Sequence, residues 1–247
     1  MTEHDRRGAL AMVTRAGVAV SALVLSGCSR KDEEAEEGGE VTANEDLMRE
    51  HGVLRRILIA YRETAPKLLA NAAAVDAAAL AQAAALFRDF GETYHEHLLE
   101  EQHIFPQVRK AGGEGAGLID TLLDQHKRGR AITSFILDRT KNGSIGTGDA
   151  QPLAGAMLAF ARMYEAHTAR EDTVIFPAFK ASLGEKAYRE LGDQFEDIEH
   201  KQFGGDGFDI ALDKVAKIEQ ALGIPALADM TAPAPPSASR PVRAPIG

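Results

Sequence analysis

The chain has 247 residues, 45% of them apolar and 26% charged, with a net charge of −9, one cysteine and no tryptophan. Apolar content at that level supports a folded core and excludes a wholly disordered chain, and the length suits one domain with extensions. A single cysteine excludes an intrachain disulfide and any cysteine-based zinc or iron–sulfur site. The acidic balance excludes phosphate-backbone binding, so no nucleic-acid partner is expected.

Residues 1–28 read as an export signal. Arg6-Arg7 precede an apolar stretch from Ala16 to Ser26 that is too short to span a bilayer comfortably. It ends at Leu25-Ser26-Gly27-Cys28, which resembles a bacterial lipobox, where the signal is cut before a cysteine that then carries lipid. The arginine pair resembles a twin-arginine signal, a route for proteins that fold before export. The expectation is a membrane-anchored lipoprotein held through Cys28 and facing the periplasm or cell exterior. Residues 29–43 follow as a charged, Gly-rich tether.

From residue 44 apolar residues recur at three and four, the helical spacing, and no segment alternates with period two. Leu47, His51, Leu54, Leu58 and Tyr61 form one stripe of a first helix ending near Pro66. A second helix starts near Asp76 and runs through Phe87, Phe90 and Tyr94 to Phe105, with Pro106 in its last turn. The third covers about 117–140, with Ile119, Leu122, His126, Thr133 and Ile136 on one face. Glycines 143, 146 and 148 punctuate a loop. The fourth follows Pro152 and carries Leu153, Met157, Phe160, Tyr164, His167, Glu171 and Val174. Further helices are expected near 184–203 and 208–221, and residues 224–247, rich in Pro and Ala, read as a disordered tail. The fold class is all-α, an up-down four-helix bundle over residues 44–205 with additional C-terminal helices, the last at 206–223.

His51, His126, His167 and Glu171 interrupt apolar stripes. An imidazole and a carboxylate inside a core cost several kcal/mol unless paired or bound to metal. One such histidine is ordinary; one on each of several helices points to a metal site. A short repeat adds to this: Glu100-Glu101-Gln-His-Ile-Phe-Pro106 matches Glu171-Asp172-Thr-Val-Ile-Phe-Pro177. Two helices of a bundle can each supply a bridging carboxylate to two metal ions. A shared helix-ending device explains Ile-Phe-Pro, though not the acids before it. In strict α-helical register the second helix offers His97 and Glu101; the repeat offset instead aligns Glu96 with His167 and Glu100 with Glu171. A local π-type widening of the helix would reconcile the two registers.

His51, the block from His95 to Pro106, Gln125-His126, and His167 to Pro177 together resemble the hemerythrin-like, or HHE cation-binding, family. The resemblance covers about residues 44–205. It implies a four-helix bundle holding a non-haem di-iron centre, two iron ions with His and carboxylate ligands. Carried over by position, it implies His51, His126 and His167 as ligands and Glu171 as a bridging carboxylate, with His95, Glu96 and Glu100 from the second helix. His103 is expected to be exposed, and His200 to lie on a solvated face or to support the site. Ligand type alone leaves manganese and zinc open. The function this implies is binding, sensing or scavenging of dioxygen, peroxide or nitric oxide. The alternatives are an enzyme turning over peroxide or nitric oxide with an external electron donor, and a metal-free lipoprotein presenting a partner surface.

Overall fold

Residues 41–236 are described by a computed structural model. The expected signal with Cys28, most of the tether, and residues 237–247 lie outside the described residues. The described chain is all helical and contains no strand. No described helix is long and apolar enough to cross a membrane.

Four rods form the bundle. The first is α1 (Ala43–Asn71). Thr42 caps it: its hydroxyl accepts from the Glu45 N–H, and the Glu45 carboxylate accepts from the Thr42 N–H at 2.9 Å. Asp76 caps the second rod, which runs as α2 (Ala77–Leu86), a π-helical stretch (Phe87–Ile104) and α3 (Phe105–Ala111). Gly112 and Gly113, at φ of 79° and 77°, make the sharp turn into α4 (Gly113–Thr140), a backbone conformation that side chains with a Cβ rarely adopt. The fourth rod is α5 (Ala150–Arg170), a π-helical turn (Glu171–Ile175) and α6 (Phe176–Ala181). Two helices, α7 (Glu185–Phe203) and α8 (Gly207–Ala221), pack on the outside.

Contacts fix the up-down order. His51, Tyr61 and Arg62 of α1 meet Asp172, Phe160 and Glu165, so α1 and α5 run antiparallel. Arg130 and Ser134 of α4 meet Glu96 and Arg88, which sets α4 antiparallel to the second rod. Away from the polar layer the centre is apolar, built from Leu58, Leu80, Phe87, Met157 and Phe160.

Three prolines expected to end helices lie inside continuing ones. Pro66 sits within α1, which goes on to Asn71 because Leu68 is buried and the Lys67 ammonium donates to the Leu222 and Gly223 carbonyls. Pro106 and Pro177 are followed by α3 and α6. Just before each, the N–H of Phe105 or Phe176 bonds five residues back, to Glu100 or Glu171. A missing N–H costs little where the hydrogen-bond register returns from i→i−5 to i→i−4. Of the expected tail, residues 224–236 are described: Ile224 packs against the core and Leu227–Met230 forms a 3₁₀ turn.

Candidate metal centre

Six side chains converge between the rods, all at most 1% exposed: His51 from α1, His95 and Glu100 from the π-helical stretch, His126 from α4, and His167 and Glu171 from the fourth rod. They sort into two halves. His51 Nε2 and His95 Nε2 lie 2.9 Å apart, with Glu171 Oε2 3.5 Å from the first and Glu100 Oε1 3.5 Å from the second. His126 Nε2 and His167 Nε2 lie 3.2 Å apart, with Glu100 Oε2 3.4 Å from His126 and Glu171 Oε1 3.0 Å from His167. Each carboxylate therefore gives one oxygen to each histidine pair.

All four oxygens of Glu100 and Glu171 are buried without a hydrogen-bond partner. Such groups are costly to leave unmade, and native proteins seldom do so without a reason. The histidines cannot relieve them as ordinary donors, because each Nδ1 faces outward to an acceptor. His51 Nδ1 lies 2.7 Å from Asp172, His95 Nδ1 2.5 Å from Glu50, His126 Nδ1 2.9 Å from Glu101, and His167 Nδ1 2.9 Å from the Gln125 amide oxygen. Those acceptors hold the proton on Nδ1 and turn each Nε2 lone pair inward, the arrangement expected of metal-ligating imidazoles. The cluster also draws positive charge. Burial alone would lower His126, yet Glu96, Glu100 and Glu101 push it up to about 10, so without a cation a proton stands on the inward nitrogen where a bound cation would displace it. Burial would raise Glu100, and His95 and His126 hold it well below the carboxylate range. The residues fit a pair of cations.

The winding of the second rod makes this possible. In an α-helix five residues would set Glu100 about 140° around the axis from His95. The π-helix turns less per residue, so His95 and Glu100 share a face. On the fourth rod His167 and Glu171 are four apart across an α-helical turn, and π winding begins at Glu171.

The acidic pairs of the repeat divide the work. The first acid of each, Glu100 or Glu171, points between the histidine pairs. The second, Glu101 or Asp172, holds Nδ1 of a histidine from the other half of the chain. The repeated phenylalanines cover those same histidines: Phe105 stacks on His126 with centroids 5.5 Å apart, and Phe176 on His51 at 5.4 Å.

Glu96 lies outside the convergent set. It is buried, but its oxygens accept from the Tyr164 hydroxyl and from Arg130 at 3.1 Å, and it approaches His126 only at Nδ1, 3.9 Å away. His97 is exposed and bonds Glu101, so the strict α-helical register leads to the support of His126 and not to the centre. His103 is half-buried, its ring 5.6 Å from Phe195, where exposure was expected. His200 is exposed. Glu50 falls on the apolar stripe of Leu47, Leu54, Ile57 and Tyr61 and is a further polar break in it, whereas the roles of Gln125, Asp172, Arg55 and Arg130 escape the stripe pattern. Their signal is positional: Glu50 and Gln125 directly precede His51 and His126, and Arg55 and Arg130 follow those histidines by four. Arg55 bonds Asp172 and Thr168, and Arg130 bonds Glu101 and Glu96.

Fold and site together define a helical-bundle protein with a buried histidine and carboxylate cluster of the kind that holds cations. Residues 42–179 match the hemerythrin HHE cation-binding domain, and the chain belongs to that family. It is also 42% identical, over 223 residues and 86% of each chain, to the uncharacterized protein Rv1995 of Mycobacterium tuberculosis. The same values hold for the uncharacterized protein Mb2018 of Mycobacterium bovis. No solved structure matches the chain.

Proposed function

We propose that this protein is a non-haem di-iron protein that binds, senses or scavenges a small ligand such as dioxygen, peroxide or nitric oxide. The observation that carries the reading is the sharing of Glu100 and Glu171 between two histidine pairs, with all four carboxylate oxygens free of protein donors. Mixed imidazole and carboxylate donors suit iron. His51, His95 and one oxygen of each carboxylate would hold one ion, and His126, His167 and the other oxygens the second. A pair of irons there supplies a redox-active centre able to take a small exogenous ligand.

The chain's own residues prepare that chemistry. Asp172, Glu50, Glu101 and Gln125 fix the imidazoles through Nδ1. Phe105 and Phe176 keep water from the histidine faces they cover. The Tyr164 hydroxyl, its ring 5.0 Å from that of His167, is held by Glu96, which in turn is held by half-exposed Arg130. Electrons for any turnover come from a donor outside the chain. Export and anchoring through a lipidated Cys28 complete the proposal and place the centre on the outer side of the cytoplasmic membrane. Mass measurement of the mature N-terminus tests that part.

Metal content tests the rest. The protein purified after iron-replete expression should carry about two irons per chain, with a visible band that changes on admitting air. A chain that stays metal-free, or whose iron form shows no response to dioxygen, peroxide or nitric oxide, removes the proposed function.

A further inference from the structure

We propose that the two cation positions are unequal and fill in order, the His51/His95 position before the His126/His167 position, and that Glu50 opposite Gln125 sets this order. The inference rests on the two-cation reading above and concerns what makes one position differ from the other.

The halves of the site correspond residue by residue. Glu50-His51 with Arg55 on α1 matches Gln125-His126 with Arg130 on α4. In each half the residue before the histidine bonds Nδ1 of the second histidine of that half: Glu50 to His95 at 2.5 Å, and Gln125 to His167 at 2.9 Å. The other two Nδ1 acceptors also correspond, Asp172 for His51 and Glu101 for His126, each with an arginine behind it. Three of the four acceptors are carboxylates. Gln125 alone is a neutral amide.

A carboxylate accepting the Nδ1 proton makes the imidazole a stronger donor to metal than an amide does. Changing such an outer partner shifts metal affinity by about 10- to 100-fold. Glu50 is fully buried, so its charge is weakly screened, and the Tyr94 hydroxyl, donating at 2.9 Å, fixes its orientation. Glu96 brings a further carboxylate near His126. Its oxygens are taken by Tyr164 and Arg130, and neither bonds a histidine of the cluster. Glu50 also forms part of the wall of a cavity of about 290 Å³ shared with Asp46, Glu196, Glu199 and Asp206. Arg49 and His200 line the same cavity, which meets the His51/His95 half of the site through Glu50 alone.

The test is an anaerobic titration of the metal-free full chain with ferrous iron, read by calorimetry and by competition with a chelator of known affinity. Two steps separated by about 10- to 100-fold are expected. His167→Ala should keep the tight step and His95→Ala should lose it, which assigns the order. Glu50→Gln, nearly equal in shape, should draw the two steps together. Gln125→Glu should tighten the weak step, so the inference stays testable if Glu50→Gln folds poorly by circular dichroism. Two indistinguishable steps, a tight step retained in His95→Ala, or a Gln125→Glu protein with an unchanged weak step would overturn the inference and leave the two-cation reading intact. No binding at all would overturn that reading, and this inference with it.

Discussion

Around Phe160, α1, the second rod and α5 meet through rings and methyl groups. Phe160 lies 4.7 Å from Phe87, 4.7 Å from Tyr164 and 5.9 Å from Tyr61, ring to ring, with Leu58, Leu80 and Met157 also buried. Around Glu171, farther along the same rods, they meet through imidazoles and carboxylates. Burial of apolar area holds the first region whatever else is present. The second is a buried concentration of lone pairs and negative charge, which closes favourably only when positive charge enters. The apolar layer thus brings the ligands together ahead of the ion, and the ion then adds stability to a region that burial cannot hold well alone. A metal that binds only the folded chain must raise its stability by mass action.

The largest expected effect separates the two regions by charge. Glu171→Gln removes an anionic oxygen from both cation positions. Its loss of iron affinity should exceed the roughly 10- to 100-fold that outer partners contribute. The helical signal should survive, because the apolar layer is untouched. Metal analysis beside circular dichroism checks this, and a variant that still holds two irons tightly would break the comparison. Phe160→Ala acts on the other region. It should lower stability by about 3–5 kcal/mol in the metal-free and loaded chains alike, while the metal count stays the same. Denaturant melts of both forms measure it.

The apolar region was the more legible in sequence, because spacing at three and four survives any small error of register. His51, His126, His167 and Glu171 stood out as polar breaks in such stripes. His95 and Glu100 were harder to see together, since an α-helical projection separates residues five apart and π winding joins them. The same projection picks out His97 and Glu101, whose pairing at 3.0 Å is real but lies at the outer edge of the site. Pro106 and Pro177 looked like helix ends because proline usually removes a needed N–H. Here each follows an i→i−5 bond, a register that no local composition announces. Glu50 stands on the buried stripe of Leu47, Leu54, Ile57 and Tyr61, a polar break of the same kind as His51, whereas Gln125 lies at the edge of the buried face of its helix. They became meaningful only once the second histidine of each half was placed against them.

A smaller effect is expected from pH. Burial, reinforced by Glu50, Asp46 and Asp206, raises Glu199 to about 7, although the Phe208 N–H donating at 2.8 Å favours the charged form. A carboxylate whose folded pKa lies above its unfolded value favours folding fully only below that unfolded value, near 4.5. The contribution is lost as pH rises through about 7. Glu101 and Asp172 have the opposite sign. With arginine and histidine partners holding them down against burial, their contribution is present at neutral pH and is lost in acid, for Glu101 as pH falls toward about 2. In Glu199→Gln the decline of stability between pH 5 and 7 should flatten, by on the order of 1 kcal/mol, since the group is buried but faces a cavity large enough for water. Melts across that range, on the metal-free protein, decide it. An unchanged slope would mean the Glu199 charge is relieved elsewhere.

The smallest substitution, a single added methyl group, probes the seam between the two regions. Gly129 on α4 lies against Tyr164, and a Cβ there would stand 2.5 Å from the tyrosine oxygen. Tyr164 belongs to both neighbourhoods: its ring packs on Phe87 and Phe160, while its hydroxyl donates to Glu96 beside Arg130 and His126. Gly129→Ala should push that hydroxyl away from Glu96 and cost about 1–3 kcal/mol by overpacking. Tyr164→Phe removes the same hydrogen bond without crowding. If the seam is only packing, Gly129→Ala should destabilise the chain and leave the iron-bound spectrum as in the wild type, and Tyr164→Phe should leave that spectrum unchanged too. If the hydroxyl helps to place Glu96 and Arg130 behind His126, both variants should shift the spectrum in the same direction. A matching shift would show that the apolar layer orients the ligand shell as well as bringing it together.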